Sequence, residues 1–260
     1  MTEERRILWL DPVGPDGAED GFEEMLNQIA SPGTRVTVRT LPRGPVHLEY
    51  RYYGALVLAD LLAEIQRAEQ EGFDATIIGC FYDVGLQEAR EIAEEMVVAA
   101  PAESCCHLAC QLGDRFSVIV GRRKWIPQMR QMIKGYGLDT RLASFRPVNL
   151  GVVELHKDPA ETACRIEQQA RLAVEEDGAE VILLGCTMGY GFFREVQKKL
   201  SVPVLDPAAV PLKSAELRVE LRRKFGWSHS KVGAYQSPPR SERERWKLDE
   251  QYALIKRMMP

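Results

Sequence analysis

The chain has 260 residues, 45% of them hydrophobic and 28% charged, enough for one large or two modest domains with ordinary cores. A net charge of −4 gives no reason to expect nucleic acid or an anionic membrane as partner. No stretch reaches the roughly 18 uninterrupted apolar residues of a membrane span, and Met1-Thr-Glu-Glu-Arg-Arg6 runs straight into an apolar segment without a signal-peptide core, so the expectation is a cytoplasmic protein.

Taken in order, Arg6-Ile-Leu-Trp-Leu10 reads as a strand ending at Asp11-Pro12-Val13-Gly14. A helix is predicted over about 21–30. Thr34-Arg-Val-Thr-Val-Arg39 alternates like a strand. After the loop Pro42 to Glu49, a long helix is predicted over about 53–70, with Leu56, Ala59, Leu61, Ile65 and Ala68 as its inner positions. It leads into Gly72-Phe-Asp-Ala-Thr-Ile-Ile-Gly-Cys80, a buried parallel strand that delivers a thiol to its carboxyl end.

The order then repeats. Arg115 to Gly121 is a strand, and Trp125 to Gly135 a helix ending at a glycine C-cap. A short strand and loop span about 140–154. The helix of about 158–176 opens on Asp158-Pro159, a cap followed by proline at the first helical position. Next comes Gly178-Ala-Glu-Val-Ile-Leu-Leu-Gly-Cys186, a near-copy of the first phrase, with its cysteine again eight positions after the glycine. Beyond each cysteine a helix leads to an apolar strand and a proline, Pro101 and Pro207, each 21 positions on. These intervals predict an internal duplication. The fold class is α/β: two pseudo-symmetric lobes, each a mostly parallel four-stranded sheet flanked by helices, with the active site in the cleft beyond the carboxyl ends of the strands. The lobes are predicted as 1–101 plus 207–227 and as 102–206. Residues 228–260 form a polar tail with a helix over about 242–258, packing on the body or on a neighbouring subunit.

Six cysteines, at 80, 105, 106, 110, 164 and 186, should be mostly reduced in a cytosolic chain. Cys105, Cys106 and Cys110 with His107 look superficially like a metal cluster. No second ligand pair stands at zinc spacing, and the segment reads as a helix packed on its cysteines. Cys80 and Cys186 differ, because each ends a strand at a Gly-Cys turn. The glycine lets backbone approach a ligand. A following helix would favour a thiolate through its dipole and N–H groups. A thiolate is a competent base near neutrality and a neighbouring thiol a competent acid.

Ile77-Ile-Gly-Cys-Phe-Tyr-Asp-Val-Gly-Leu86 and Ala179-Glu-Val-Ile-Leu-Leu-Gly-Cys-Thr-Met-Gly189, supported by Leu112–Val120 and Val202–Pro207, resemble the aspartate/glutamate/hydantoin racemase superfamily, its hydantoin racemase-like branch above others. The resemblance covers about residues 5–220. It implies that Cys80 and Cys186 flank a stereocentre, one removing the α-proton and the other returning one from the opposite face, with no cofactor and no metal. An enolate-like intermediate needs donors aimed at its carbonyl oxygen, and the N–H groups at Phe81, Tyr82, Thr187 and Met188 are the candidates. Gly44-Pro-Val-His-Leu-Glu49 matches a family loop, so Pro45 is expected to line the cleft, with Glu49 fixing the loop and His47 in a loop or surface role.

Two departures bear on substrate. The family's usual Asn-Pro-Asn turn is Asp11-Pro12-Val13-Gly14 here, so a carboxylate disfavours an anionic group and accepts ring or ureido N–H. Val120-Gly121 stands where Thr or Ser is common, suggesting more room and fewer polar contacts. Trp125, Phe192 and Phe193 are either an apolar wall or core. The leading expectation is a racemase of a 5-substituted hydantoin or similar cyclic ureide, acting on a small molecule as a homo-oligomer, without nucleic acid or membrane. The alternatives are an Asp/Glu-type amino-acid racemase, a related decarboxylase or cis–trans isomerase, and a non-catalytic small-molecule sensor.

Overall fold

A computed structural model describes residues 4–252. Its elements in chain order are β1 (Arg5–Asp11), α1 (Phe22–Ile29), β2 (Thr34–Thr40), α2 (Arg51–Gln70), β3 (Ala75–Ile78), α3 (Leu86–Ile92), β4 (Val97–Ala99) and α4 (Pro101–Leu112). The pattern resumes with β5 (Phe116–Val120), α5 (Ile126–Gly135), β6 (Leu142–Pro147), α6 (Pro159–Glu175), β7 (Val181–Leu184), α7 (Phe193–Lys198), β8 (Val204–Leu205) and α8 (Ala209–Phe225). Two short helices follow, α9 (Arg240–Trp246) and α10 (Leu248–Gln251).

Both sheets are parallel and share one strand order, β2-β1-β3-β4 and β6-β5-β7-β8. This is the repetition that the matched sequence intervals predict. Ala75–Ile78 and Val181–Leu184 are buried at every position, as central parallel strands covered on both faces must be. The chain divides into two compact units. One comprises the residues up to Ile78, Val84–Ala99 and those from Leu212 on; the other comprises Gly79–Asp83 and Ala100–Pro211. The five residues that carry Cys80 thus leave a strand of the first unit and belong to the second.

In the first unit both sheet edges are closed by side chains. Asn27 on α1 accepts from Val36 N–H at 3.0 Å and donates to Val36 C=O at 2.8 Å, imitating a neighbouring strand on β2. On β4, His229 Nε2 accepts the Val98 N–H at 2.9 Å, while Arg90 and Arg218 donate to the Val98 carbonyl. An edge so occupied offers little for another strand to pair with. Accepting that N–H requires an unprotonated Nε2; burial and the nearby Arg218, Arg90 and Lys231 push His229 down to about 3.

Three local expectations are corrected. On α2, Leu56 and Ala59 are exposed, and Val57 and Glu64 are buried instead. Glu64 lies inside because Arg67 pairs with it at 3.1 Å. The left-handed cap beyond α5 is Gly137, with φ of 73°, and Gly135 is still helical. The tail helix is broken at Lys247, whose φ is 52°; the part predicted beyond Tyr252 lies outside the described residues.

Candidate active site

Cys80 is half-buried and lies two residues past β3. Its carbonyl accepts the Asp83 N–H at 2.9 Å, which closes the chain into a turn. Phe81 is buried in the second unit's core with Ala102, Cys106, Val118 and Val120, and Tyr82 packs against the same cluster. No α-helix starts at this thiol. α3 begins at Leu86, after Gly85 with φ of 69°. The expected helix-dipole assistance is therefore absent, because the left-handed glycine separates thiol from helix.

Cys186, also half-buried, occupies the N-cap of a single 3-10 turn, Thr187–Gly189, and its carbonyl accepts the Gly189 N–H at 2.8 Å. α7 begins only at Phe193, beyond Gly191 with φ of 82°. The preceding Gly185 serves strand packing, not ligand approach as its sequence setting suggests. A Cβ there would meet Val118 Cγ1 at 2.7 Å and Ile119 C=O at 2.9 Å.

The two thiol turns meet directly. Thr187 Oγ1 donates to Gly79 C=O at 3.2 Å, joining residues on either side of the two cysteines within the second unit. Among the described residues the amides of Phe81, Thr187 and Met188 donate to no protein acceptor. His156, which carries no sequence signal, holds the Met188 carbonyl through Nε2 at 2.7 Å and lies against Tyr190 and Phe192, with centroids 5.0 and 5.3 Å away. Phe192 and Phe193 pack against the second unit's apolar cluster.

Two buried carboxylates sit behind these turns. Asp83 accepts the N–H groups of Ala102 at 2.9 Å and Glu103 at 2.7 Å, and the Tyr136 hydroxyl at 2.6 Å. Burial pushes the Asp83 carboxyl up to about 7, against those three donors, with Glu103 adding to the rise. Burial and the Asp83 charge push the Tyr136 hydroxyl upward as well. Asp206 accepts from Gly191, Ala208 and Ala209 N–H at 2.8, 2.8 and 2.9 Å.

The remaining expected site residues fall as follows. Val120 is buried in the core cluster, and its carbonyl accepts Val148 N–H. At Gly121 the missing side chain leaves no open space. A Cβ would stand 2.2 Å from Trp125 Cη2 and 2.5 Å from the Leu150 carbonyl, so the room expected there is filled by the Trp125 indole. Trp125 is a core residue, 2% exposed. Cys105 and Cys106 face the core of α4, where burial pushes both thiols up, and His107 is exposed.

In the first unit, Asp11 is half-buried at the end of β1, and Trp9 Nε1 donates to its Oδ1 at 2.7 Å. Burial pushes this carboxyl up to about 7, with the Trp9 bond opposing and Glu19 adding. The turn after it is clamped to the next loop. Gly14 N–H donates to Pro45 C=O at 2.9 Å, and a Cβ on Gly14 would lie 2.4 Å from the Gly44 carbonyl. Glu49 is buried. His47 lies beside Tyr50 and Tyr53.

The two strand-end thiols thus lie in turns that are hydrogen-bonded to each other. Comparison with known proteins places the chain in a family. A family model described as Asp/Glu/Hydantoin racemase matches residues 13–215, and the chain belongs to that family. It is 34% identical to a hydantoin racemase of Pseudomonas sp. (strain NS671), with 91% of this chain and 93% of that one covered, and 33% identical to a hydantoin racemase of Paenarthrobacter aurescens, with 90% and 97% covered. Among solved structures, the allantoin racemase of Pseudomonas fluorescens superposes with a TM-score of 0.82 at 30% identity, over 90% of this chain and 97% of that one. No helix among the described residues is long and apolar enough to cross a membrane.

Proposed function

We propose that the protein is a cofactor-independent racemase of a 5-substituted hydantoin or similar cyclic ureide, with Cys80 and Cys186 as its acid/base pair. The observation that carries the reading is the hydrogen bond from Thr187 to the Gly79 carbonyl, which fixes the two thiol turns to one another. Similarity to hydantoin and allantoin racemases supports the substrate class.

Inversion at a carbon needs a base on one face and an acid on the other. In the proposed reaction the thiolate of one cysteine takes the α-proton, charge collects on the adjacent carbonyl oxygen, and the other thiol returns a proton from the opposite side. The backbone N–H groups of Phe81, Tyr82, Thr187 and Met188 receive the oxyanion. Asp11 accepts a ring or ureido N–H and Pro45 contributes apolar surface, whereas Val120 and the space at Gly121 are taken up by core packing. Ordinary thiols titrate near 8.5, close enough to neutrality for both protonation states to be accessible. The same reading carries a cytoplasmic homo-oligomer.

The test uses one enantiomer of a 5-substituted hydantoin in D2O. The intact enzyme should racemise it and place deuterium at C5. Cys80→Ala and Cys186→Ala should each lose racemisation by about a hundredfold or more. Full racemase activity in either variant sinks the two-thiol mechanism; inactivity of the intact protein on hydantoins and allantoin alike sinks the substrate class.

A further inference from the structure

From this geometry we infer that Asp83 and Tyr136 form a positioning device for Cys80, a role that rests on the two-thiol reading. Asp83 is three residues past the thiol, and its own N–H closes the turn onto the Cys80 carbonyl at 2.9 Å. Its φ of 49° lies in the left-handed region, uncommon outside glycine but one that Asp and Asn adopt more readily than other residues. Three donors hold its carboxylate: two N–H groups in the first turn of α4 and the Tyr136 hydroxyl, 53 positions on. Through them the turn is fastened to the second unit, to which Gly79–Asp83 belongs.

Comparison of the duplicated halves shows that this bond system is specific to the thiol turn. Pro101 and Pro207 are equivalent by their distance from the two cysteines. The residue before Pro207 is Asp206, which caps its own helix and reaches back to Gly191 in the loop beyond Cys186. The residue before Pro101 is Ala100, which has no side chain able to cap. The missing cap of α4 is supplied instead by Asp83, from inside the Cys80 turn. Each thiol loop is therefore bridged to the start of a later helix by one carboxylate, and the bridge runs in opposite directions in the two halves. Among the described residues, a phenol, Tyr136, is added to the Cys80 bridge and to no bond of Asp206.

The experiment pairs Asp83→Asn, which keeps the shape and tolerates positive φ, with Tyr136→Phe, which removes one donor and leaves the helix cap. Asp83→Asn should lower kcat for hydantoin racemisation about tenfold to a hundredfold with KM changed little, the scale on which a displaced reacting group acts. Tyr136→Phe should lower it about threefold, a single lost hydrogen bond. Iodoacetamide labelling read by peptide mass should show an altered rate at Cys80 and an unchanged one at Cys186. In D2O, the enantiomer deprotonated by Cys186 should still take up deuterium, whereas the other loses exchange. Equal changes at both thiols together with a lower melting point would mean a merely structural cap, and unchanged labelling with kcat within about twofold in both variants would equally overturn the inference. Labelling needs no substrate, so it remains decisive even if the alanine variants defeat the two-thiol mechanism.

Discussion

Replacing Gly121 by alanine should destabilise the second unit, and the size of the loss follows from what the new methyl meets. Its carbon would stand 2.2 Å from Trp125 Cη2 and 2.5 Å from Trp125 Cζ3 and the Leu150 oxygen, where ordinary carbon contacts are about 3.5–4.0 Å. Neither neighbour yields easily. The indole is 2% exposed among Val118, Val120 and Met129, and Leu150 is held by its N–H to the Gly121 carbonyl at 3.1 Å. Overpacking of this kind costs about 1–3 kcal/mol, and a clash against backbone and a rigid ring belongs at the upper end. For a unit of the size of Gly79–Asp83 plus Ala100–Pro211, about 3 kcal/mol corresponds to a fall in Tm of roughly 12 °C. Thermal and urea unfolding followed by tryptophan fluorescence measure it. Gly121→Ala with Trp125→Leu should recover part of the loss, a coupling of about 1–3 kcal/mol, because the shorter side chain vacates the space. If Gly121→Ala melts with the wild type, the site is open and the account of the glycine is wrong. Gly121→Ser, which restores the hydroxyl-bearing type common in the resembling family, should likewise destabilise and not add a substrate contact.

Stability should also depend on pH through Asp83. A carboxyl that titrates at about 7 when folded and near 3.9 when unfolded holds its proton more tightly in the native state, so its contribution is complete below about pH 4 and is lost as the pH rises through about 7. Urea unfolding at pH 5 and pH 8 should show wild type losing ground to Asp83→Asn at the higher pH; the opposite trend refutes the buried-acid assignment. His229 acts in the contrary sense. Its pKa is depressed on folding, so its contribution is present above about 6.5 and lost as the pH falls towards 3; His229→Ala should remove that acid sensitivity while leaving Val98 N–H without its acceptor. Glu216→Ala should cost about 1–3 kcal/mol, because the carboxylate accepts both the N–H and the hydroxyl of Ser31 at 2.7 Å. A Cm within 0.1 M of wild type, with m unchanged, would contradict this.

The parts legible in the sequence are those with a repeating or local signal. Ala75–Ile78 and Val181–Leu184 are unbroken aliphatic runs, as doubly covered strands require, and the shared strand order follows from the matched intervals. The cap at Asp158 was legible because proline follows it, and its side chain does accept Glu161 N–H at 3.1 Å. What was not legible depends on partners far apart in the chain. Nothing near Asp83 points to Tyr136, nothing near Val98 to His229, 131 positions on, and nothing near Met188 to His156. Asp206-Pro207 did carry the same cap-and-proline signal as Asp158-Pro159. The inner face of α2 departs from its sequence pattern at Glu64 because an ion pair with Arg67 lets that residue lie inside, where polarity alone argues for the surface.

The two halves also differ in where their caps come from. Asp206 stands two and three residues before the N–H groups of Ala208 and Ala209, so that cap closes with its own helix turn and needs no distant partner. The cap of α4 comes from Asp83, 19 positions before Ala102 and at positive φ. The Cys80 turn and the start of α4 therefore share two hydrogen bonds, from Ala102 and Glu103 N–H to Asp83. That coupling accounts for a segment which leaves β3 covalently yet belongs to the unit that carries Cys186. The Cys80 turn is bonded to the second unit on two sides, its Asp83 carboxylate closing α4 and its Gly79 carbonyl accepting from Thr187. In the proposed two-thiol reaction, these bonds are what tie both thiol turns to one unit.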